Sequence, residues 1–204
     1  MKRDAVATEG GFTLIELLVV VALLGFVVAP ISAAIVVGLR TTSATANRIT
    51  SSHDAQLVST YLPADLQSVG SAAGDVNLAA TVTSHCPGAP PQNVLQLHWS
   101  QQTDGAGSTT NYYAQYVVAQ AGANTGNHNQ GDWELTRYYC GVDAQGQTIA
   151  PSQTILARNL NGAGAAVITP NPPNGPKITM TVTGLTATND PPYVFSVSGY
   201  RRTP

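Results

Sequence analysis

Hydrophobic and polar positions follow different rules in successive parts of this 204-residue chain. From Leu17 to Leu39 no residue is charged, and the 23 positions are almost all aliphatic or small. About 20 such residues cross a bilayer as a helix. Gly25 and Pro30 interrupt the run, and both are better tolerated in a membrane helix than in a soluble one. After Leu39 the apolar residues thin out but keep helical spacing, at Ala46, Ile49, Leu57, Tyr61 and Leu62. Thr41, Thr42, Ser43, Asn47, Ser51 and Ser52 lie between them. The pattern predicts a helix that continues out of the span with one weak apolar stripe. Its β-branched and small polar residues are poor helix formers, so packing has to hold it. Pro63 is expected to end or kink it, with "PADLQSV" (Pro63–Val69) starting a last short turn.

Beyond Gly70 the period changes. Val94–Trp99, Tyr112–Ala119, Trp133–Cys140, Ile155–Asn159, Ile178–Thr183 and Tyr193–Tyr200 are rich in β-branched or aromatic residues and predict strands. Ile178, Met180 and Val182 alternate with Lys177, Thr179 and Thr181. Turn-rich segments separate them, among them "QQTDGAGSTTN", "QAGANTGNHNQGD", "TPNPPNGP" and "TATNDPP". The expected fold class is α+β: a long N-terminal α-helix, its first half transmembrane, packed on one face of a C-terminal antiparallel β-sheet.

Charge narrows the function. Only 10% of residues are charged, against roughly 25% in an ordinary soluble domain. From Arg40 onward there are seven Lys/Arg and eight Asp/Glu, which gives no basic face for nucleic acid. Cys86 and Cys140 form no CxxC pair, and His53, His85, His98 and His128 have no metal-ligand spacing. If the domain is exported, the two cysteines are expected to form one disulfide; the alternative is two buried free thiols. No GxSxG elbow or Walker motif occurs. "GAGAA" (Gly162–Ala166) reads as a turn, and "GNHNQGD" (Gly126–Asp132) as a hairpin tip. Tyr112, Tyr113, Tyr116, Tyr138 and Tyr139 read as sheet pairs, and Arg201 and Arg202 as a solvated tail. No catalytic residue, cofactor or metal site is assigned, and the expectation is a non-enzymatic protein.

One charge is out of place. Glu16 sits at the head of the apolar run, where a carboxylate is costly and is usually retained for a function. A secretory signal places small residues after the apolar stretch, whereas here Gly10–Gly11 precede it. Lys2 and Arg3 before the span balance Arg40 and Arg48 after it, so the positive-inside rule does not orient the chain. The short head and the long cysteine-bearing tail favour a cytoplasmic N-terminus and an exported C-terminal domain.

The string "GGFTLIELLVVVALLG" and the membrane-length tail that follows it resemble the class III signal of type IV pilins and pseudopilins. The resemblance implies a leader of residues 1–11, cut by prepilin peptidase between Gly11 and Phe12, and N-methylation of Phe12. It implies a transmembrane and assembly helix over 12–39, a soluble continuation over 40–69 and a β-rich extracytoplasmic domain over 70–204. It also implies that Glu16 pairs with the Phe12 amine of a neighbouring subunit during filament assembly. The partners would be other pilin or pseudopilin subunits, prepilin peptidase, an inner-membrane assembly platform and the membrane through Leu17–Leu39; no nucleic acid is expected. The helix exit "YLPADLQSV" and the later "WELTRYYC", "ITMTVTG" and "YVFSVSGYRR" are similar to the J-type minor pseudopilins. The machine served could be a pilus, a type II secretion-like apparatus or a DNA-uptake system. The competing expectation is a membrane-anchored extracellular module that binds a glycan or peptide and joins no filament.

Overall fold

The computed structural model describes residues 13–70, 72, 74–102, 108–121, 133–171, 175–185 and 192–202. Contacts divide the chain into two units, Met1–Ala46 and Asn47–Pro204, and helix α1 (Leu14–Ser68) contributes to both.

In the first unit, Leu14–Leu39 is a 26-residue helical stretch of mean hydropathy 2.8 with none of its residues buried. It is long and apolar enough to cross a membrane. Its hydroxyls are satisfied within the helix: Ser32 donates to the carbonyl of Val28 at 2.9 Å, and Thr41 to that of Val37 at 3.0 Å. Thr42 and Thr45 donate in the same way to Gly38 and Thr41, each at 2.9 Å. Back-bonding of this kind gives each of these four hydroxyls an acceptor within the helix.

In the second unit the C-terminal turns of α1 lie on a sheet of eight strands. The strands are β1 (Val76–Asn77), β2 (Leu95–Gln102), β3 (Thr109–Gln120), β4 (Trp133–Val142), β5 (Thr148–Leu160), β6 (Ala166–Asn171), β7 (Lys177–Gly184) and β8 (Tyr193–Tyr200). Every pairing is antiparallel, in the order β1-β2-β3-β4-β5-β7-β6, with β8 also on β7. Among the described residues Leu160↔Gly184 is the one register pair between β5 and β7, flanked by backbone bonds from Leu185 to Asn159 (2.7 Å) and from Asn161 to Thr183 (3.2 Å), so a β1–β5 meander is linked to a small β6–β7–β8 sheet over a short junction. The α+β architecture expected from the sequence is present. Val58, Leu62 and Leu66 recur at helical spacing on α1, and all are fully buried with Val69. They meet Leu95, Leu97, Ala114 and Leu135 of the meander and Ile178, Met180 and Val182 of the small sheet. Each such aliphatic side chain contributes about 1.5–3 kcal/mol through burial.

The helix does not end at Pro63; it runs on to Ser68. Proline forfeits one backbone bond, and burial of the flanking Leu62 and Leu66 outweighs that loss. The approach of this turn to β8 is close. A Cβ at Gly199 would stand 2.6 Å from Leu66 Cδ1 and 3.0 Å from Pro63 Cα, so only glycine fits there.

All six expected strands are present, and two more appear. β1 has only two residues. β6 carries Pro170, which is tolerated because β6 is an edge strand. The turn expected over Gly162–Ala166 stops at Ala165, since Ala166 opens β6. Strand β5 begins seven residues before Ile155, through Pro151 and an Ala150 with φ of 46°. Most of the long turn segments, including "GNHNQGD" with His128, lie outside the described residues.

The face of the meander turned away from α1 is also covered. Residues 78–94 cross it and are fixed by a Cys86–Cys140 disulfide with Cα atoms 5.4 Å apart. Gln115 Nε2 donates to the carbonyls of Pro90 (2.9 Å) and Gln92 (3.0 Å), and Gln96 Nε2 to that of Thr83 (3.1 Å).

Candidate functional site

Gly11 and Phe12, the residues expected to flank a processing cut, lie outside the described residues. The description opens at Thr13, which caps α1. Its Oγ1 accepts the Glu16 backbone N–H at 3.3 Å, and its carbonyl accepts the N–H groups of Glu16 (3.0 Å) and Leu17 (3.2 Å). Thr13-Leu-Ile-Glu16 is thus a capping-box sequence, a helix-start signal legible in the chain. Glu16 occupies the first turn, where the helix dipole favours negative charge. Among the described residues no cation lies within ion-pair distance of its carboxylate. An exposed carboxylate is thereby presented beside exposed Leu14, Ile15, Leu17 and Leu18. Chemically it can accept a cation supplied from outside this chain.

Two further carboxylates are buried in the second unit. Asp65 receives a bidentate pair from Arg137, Nε to Oδ2 at 2.7 Å and Nη2 to Oδ1 at 2.6 Å, and the Tyr116 hydroxyl donates to Oδ2 at 2.6 Å. The guanidinium lies between the rings of Tyr61 (4.9 Å) and Tyr139 (4.7 Å). Burial, reinforced by the Asp65 charge, pushes the Tyr116 hydroxyl well above its ordinary pKa. The sequence held a signal for this cluster. Arg137 falls in the inward phase of β4 with Leu135 and Tyr139, and a charge there demands a partner. Asp65 lies beside Leu62 and Leu66 on the buried stripe of α1.

Asp54 is the second, with 3% of its surface exposed. Its Oδ2 accepts the Tyr193 hydroxyl at 3.1 Å and the Arg158 backbone N–H at 3.3 Å. Burial raises its pKa, and the two hydrogen bonds and nearby His53 only partly offset this. The sign follows from linkage. A carboxyl whose folded pKa exceeds its unfolded value of 3.8 costs stability when ionised, and the cost disappears as pH falls through the folded pKa. Asp54→Asn, which can accept the same two bonds, is therefore expected to be more stable than the parent at pH 7, with the advantage vanishing below about pH 4. Denaturant unfolding of the full chain in detergent at both pH values checks this. An Asn variant no more stable at pH 7 would contradict it.

The histidines do not act alone. His85 stacks on Tyr113 at 4.0 Å, and His98 lies 5.0 Å from the same ring. Burial lowers the pKa of His85, with a smaller contribution from His98. His98 also meets Asp75 and Asn111, each at 3.4 Å. Among the described residues no group of three or more His, Cys, Asp or Glu side chains could hold a metal ion. Tyr112 and Tyr139 pack with Trp99 at centroid separations of 5.9–6.0 Å.

Comparison with known proteins bears on the N-terminal end. The family model of the prokaryotic N-terminal methylation motif matches residues 7–32. No curated protein and no solved structure matches the chain. The chain thus carries a type IV pilin-like signal, with Gly11, Phe12 and Glu16 inside the matched stretch. That signal supports a type IV pilin- or pseudopilin-like precursor. It points to a structural subunit, processed by prepilin peptidase and assembling with other pilins.

Proposed function

We propose that this chain is a minor pilin or pseudopilin of J type, incorporated into a type IV pilus-like filament of a pilus, secretion or DNA-uptake machine. The observation that carries the reading is the methylation motif at residues 7–32, placed at the head of a helix whose first 26 residues are apolar and exposed. Prepilin peptidase removes residues 1–11 and leaves Phe12 with a new, methylated amine. Residues 12–39 anchor the subunit in the plasma membrane with the leader cytoplasmic, and residues 70–204 form the extracytoplasmic domain. During extraction through the inner-membrane platform, Glu16 pairs with the Phe12 amine of a neighbour. In a low-dielectric bundle the pairing lessens the cost of each isolated charge and fixes the axial register of adjacent helices.

Mass spectrometry of the mature N-terminus tests this. In peptidase-competent cells the protein is expected to begin at N-methylated Phe12, and in peptidase-deficient cells at Met1. Glu16→Ala is expected to be cleaved normally but depleted from sheared filaments. An intact Met1 in competent cells would overturn the reading in favour of a membrane-anchored binding module.

A further inference from the structure

Asp54 has one carboxylate oxygen, Oδ1, that neither Tyr193 nor Arg158 engages. Oδ2 takes both hydrogen bonds, and Nδ1 of His53 stands 3.8 Å from Oδ1. Among the described residues the buried polar side-chain atoms without a partner are Asn93 Oδ1 and Gln115 Oε1. Asp54 Oδ1 is not one of them. Asparagine would accept the same two bonds without burying a charge, so those bonds do not explain a carboxylate here. Asp54 lines a cleft of about 260 Å³ between α1 and β5, together with His53 and the aliphatic Ile49, Leu57, Ile155 and Leu156. A carboxylate lining an aliphatic cleft is complementary to a cation on an aliphatic stem.

We propose that this cleft receives a lysine side chain of a partner polypeptide. The ammonium binds Asp54 Oδ1, and the butyl stem lies along Ile49, Leu57 and Ile155. The site selects lysine over arginine. A guanidinium fork binds both oxygens of a carboxylate side by side, and Oδ2 is already committed to Tyr193 and Arg158. An ammonium is a point charge that needs only one. The volume lies below the roughly 300–1,000 Å³ of small-molecule pockets and suits a single side chain. The other groups facing Asp54 leave its charge in control. On β5, the Arg158 guanidinium is drawn to Glu134 of β4 at 3.3 Å; on β8, Tyr193 acts as a donor; on α1, His53 Nδ1 stands 3.8 Å from Oδ1. Protonating Asp54 removes the acceptor, so acidification releases the lysine. This occupancy goes beyond filament membership and does not depend on it.

The test uses the full chain in detergent micelles, following the Ile49 and Ile155 methyl resonances by NMR. Capped lysine (N-acetyl-lysine methylamide) is expected to shift both, with a Kd of about 1–10 mM. The capped arginine and norleucine analogues should bind at least about fivefold more weakly. Asp54→Asn, which keeps both hydrogen bonds, should weaken lysine about tenfold and leave norleucine unchanged. Equal binding of lysine and norleucine would overturn the proposal, as would undiminished lysine binding to Asp54→Asn or the absence of any methyl shift. Tighter binding of n-butylammonium than of capped lysine would overturn the polypeptide as the source of the cation.

Discussion

Replacing Arg137 by methionine is expected to remove about 3–5 kcal/mol from the stability of the second unit. Among the described residues the guanidinium is the one cation paired with Asp65, and both groups are buried, with 8% and 7% of their side-chain surfaces exposed. Methionine fills much of the same volume between the Tyr61 and Tyr139 rings but leaves the Asp65 carboxylate, among the described residues, with the Tyr116 hydroxyl alone. An uncompensated buried charge is costlier than the ion pair was favourable. A loss of this size is a large part of a typical total of 5–15 kcal/mol, so the variant sits at the edge of unfolding. The triple variant Asp65→Leu, Arg137→Met, Tyr116→Phe removes every polar member of the cluster together and is expected to regain at least half of the loss. Denaturant curves of the full chain in detergent, followed by Trp99 and Trp133 fluorescence, measure both. A single-variant loss below about 1 kcal/mol would show that the cluster is solvated rather than buried.

The contrast between this cluster and the N-terminal segment shows which features a sequence displays. The apolar run, the capping box and the alternation in β7 are local patterns, each written within a few residues of itself. They therefore specify the α+β fold and the methylation motif directly. Asp65 and Arg137 are 72 residues apart, and Asp54 and Tyr193 are 139 apart. The inward phase of Arg137 and the buried stripe around Asp65 signal that each needs a partner, but which residue supplies it appears only when the sheet forms. Pro63 shows the opposite failure. The local rule against proline inside a helix is sound, but burial of Leu62 and Leu66 and the glycine at 199 override it. β6 was hidden for a related reason: Pro170 reads as a breaker, and only its edge position makes it harmless.

Removing the disulfide, as Cys86→Ala with Cys140→Ala, is expected to cost about 4 kcal/mol, the loop-closure contribution for cysteines 54 residues apart. The loss should be uneven. Residues 78–94 are held to the sheet by the crosslink, the Gln96 and Gln115 side chains and the His85–Tyr113 stack, and the Val82 N–H donates to the Pro91 carbonyl at 2.9 Å within the segment. Without the crosslink these polar contacts must order the segment alone, at about 1–2 kcal/mol of backbone entropy per residue. Amide exchange at Val82 is therefore expected to accelerate to the rate of an open loop, while Val117 and Leu135 in the paired β3–β4 core stay protected. A stability change below about 1 kcal/mol, or unchanged protection at Val82, would show that side chains hold the segment without the bond. The same bond bears on where the protein matures, because reducing compartments do not maintain such crosslinks. Thiol trapping in intact cells should find Cys86 and Cys140 oxidised if the second unit is exported. Fully reduced cysteines in the mature protein would place that unit on the cytoplasmic side and remove the filament reading with it.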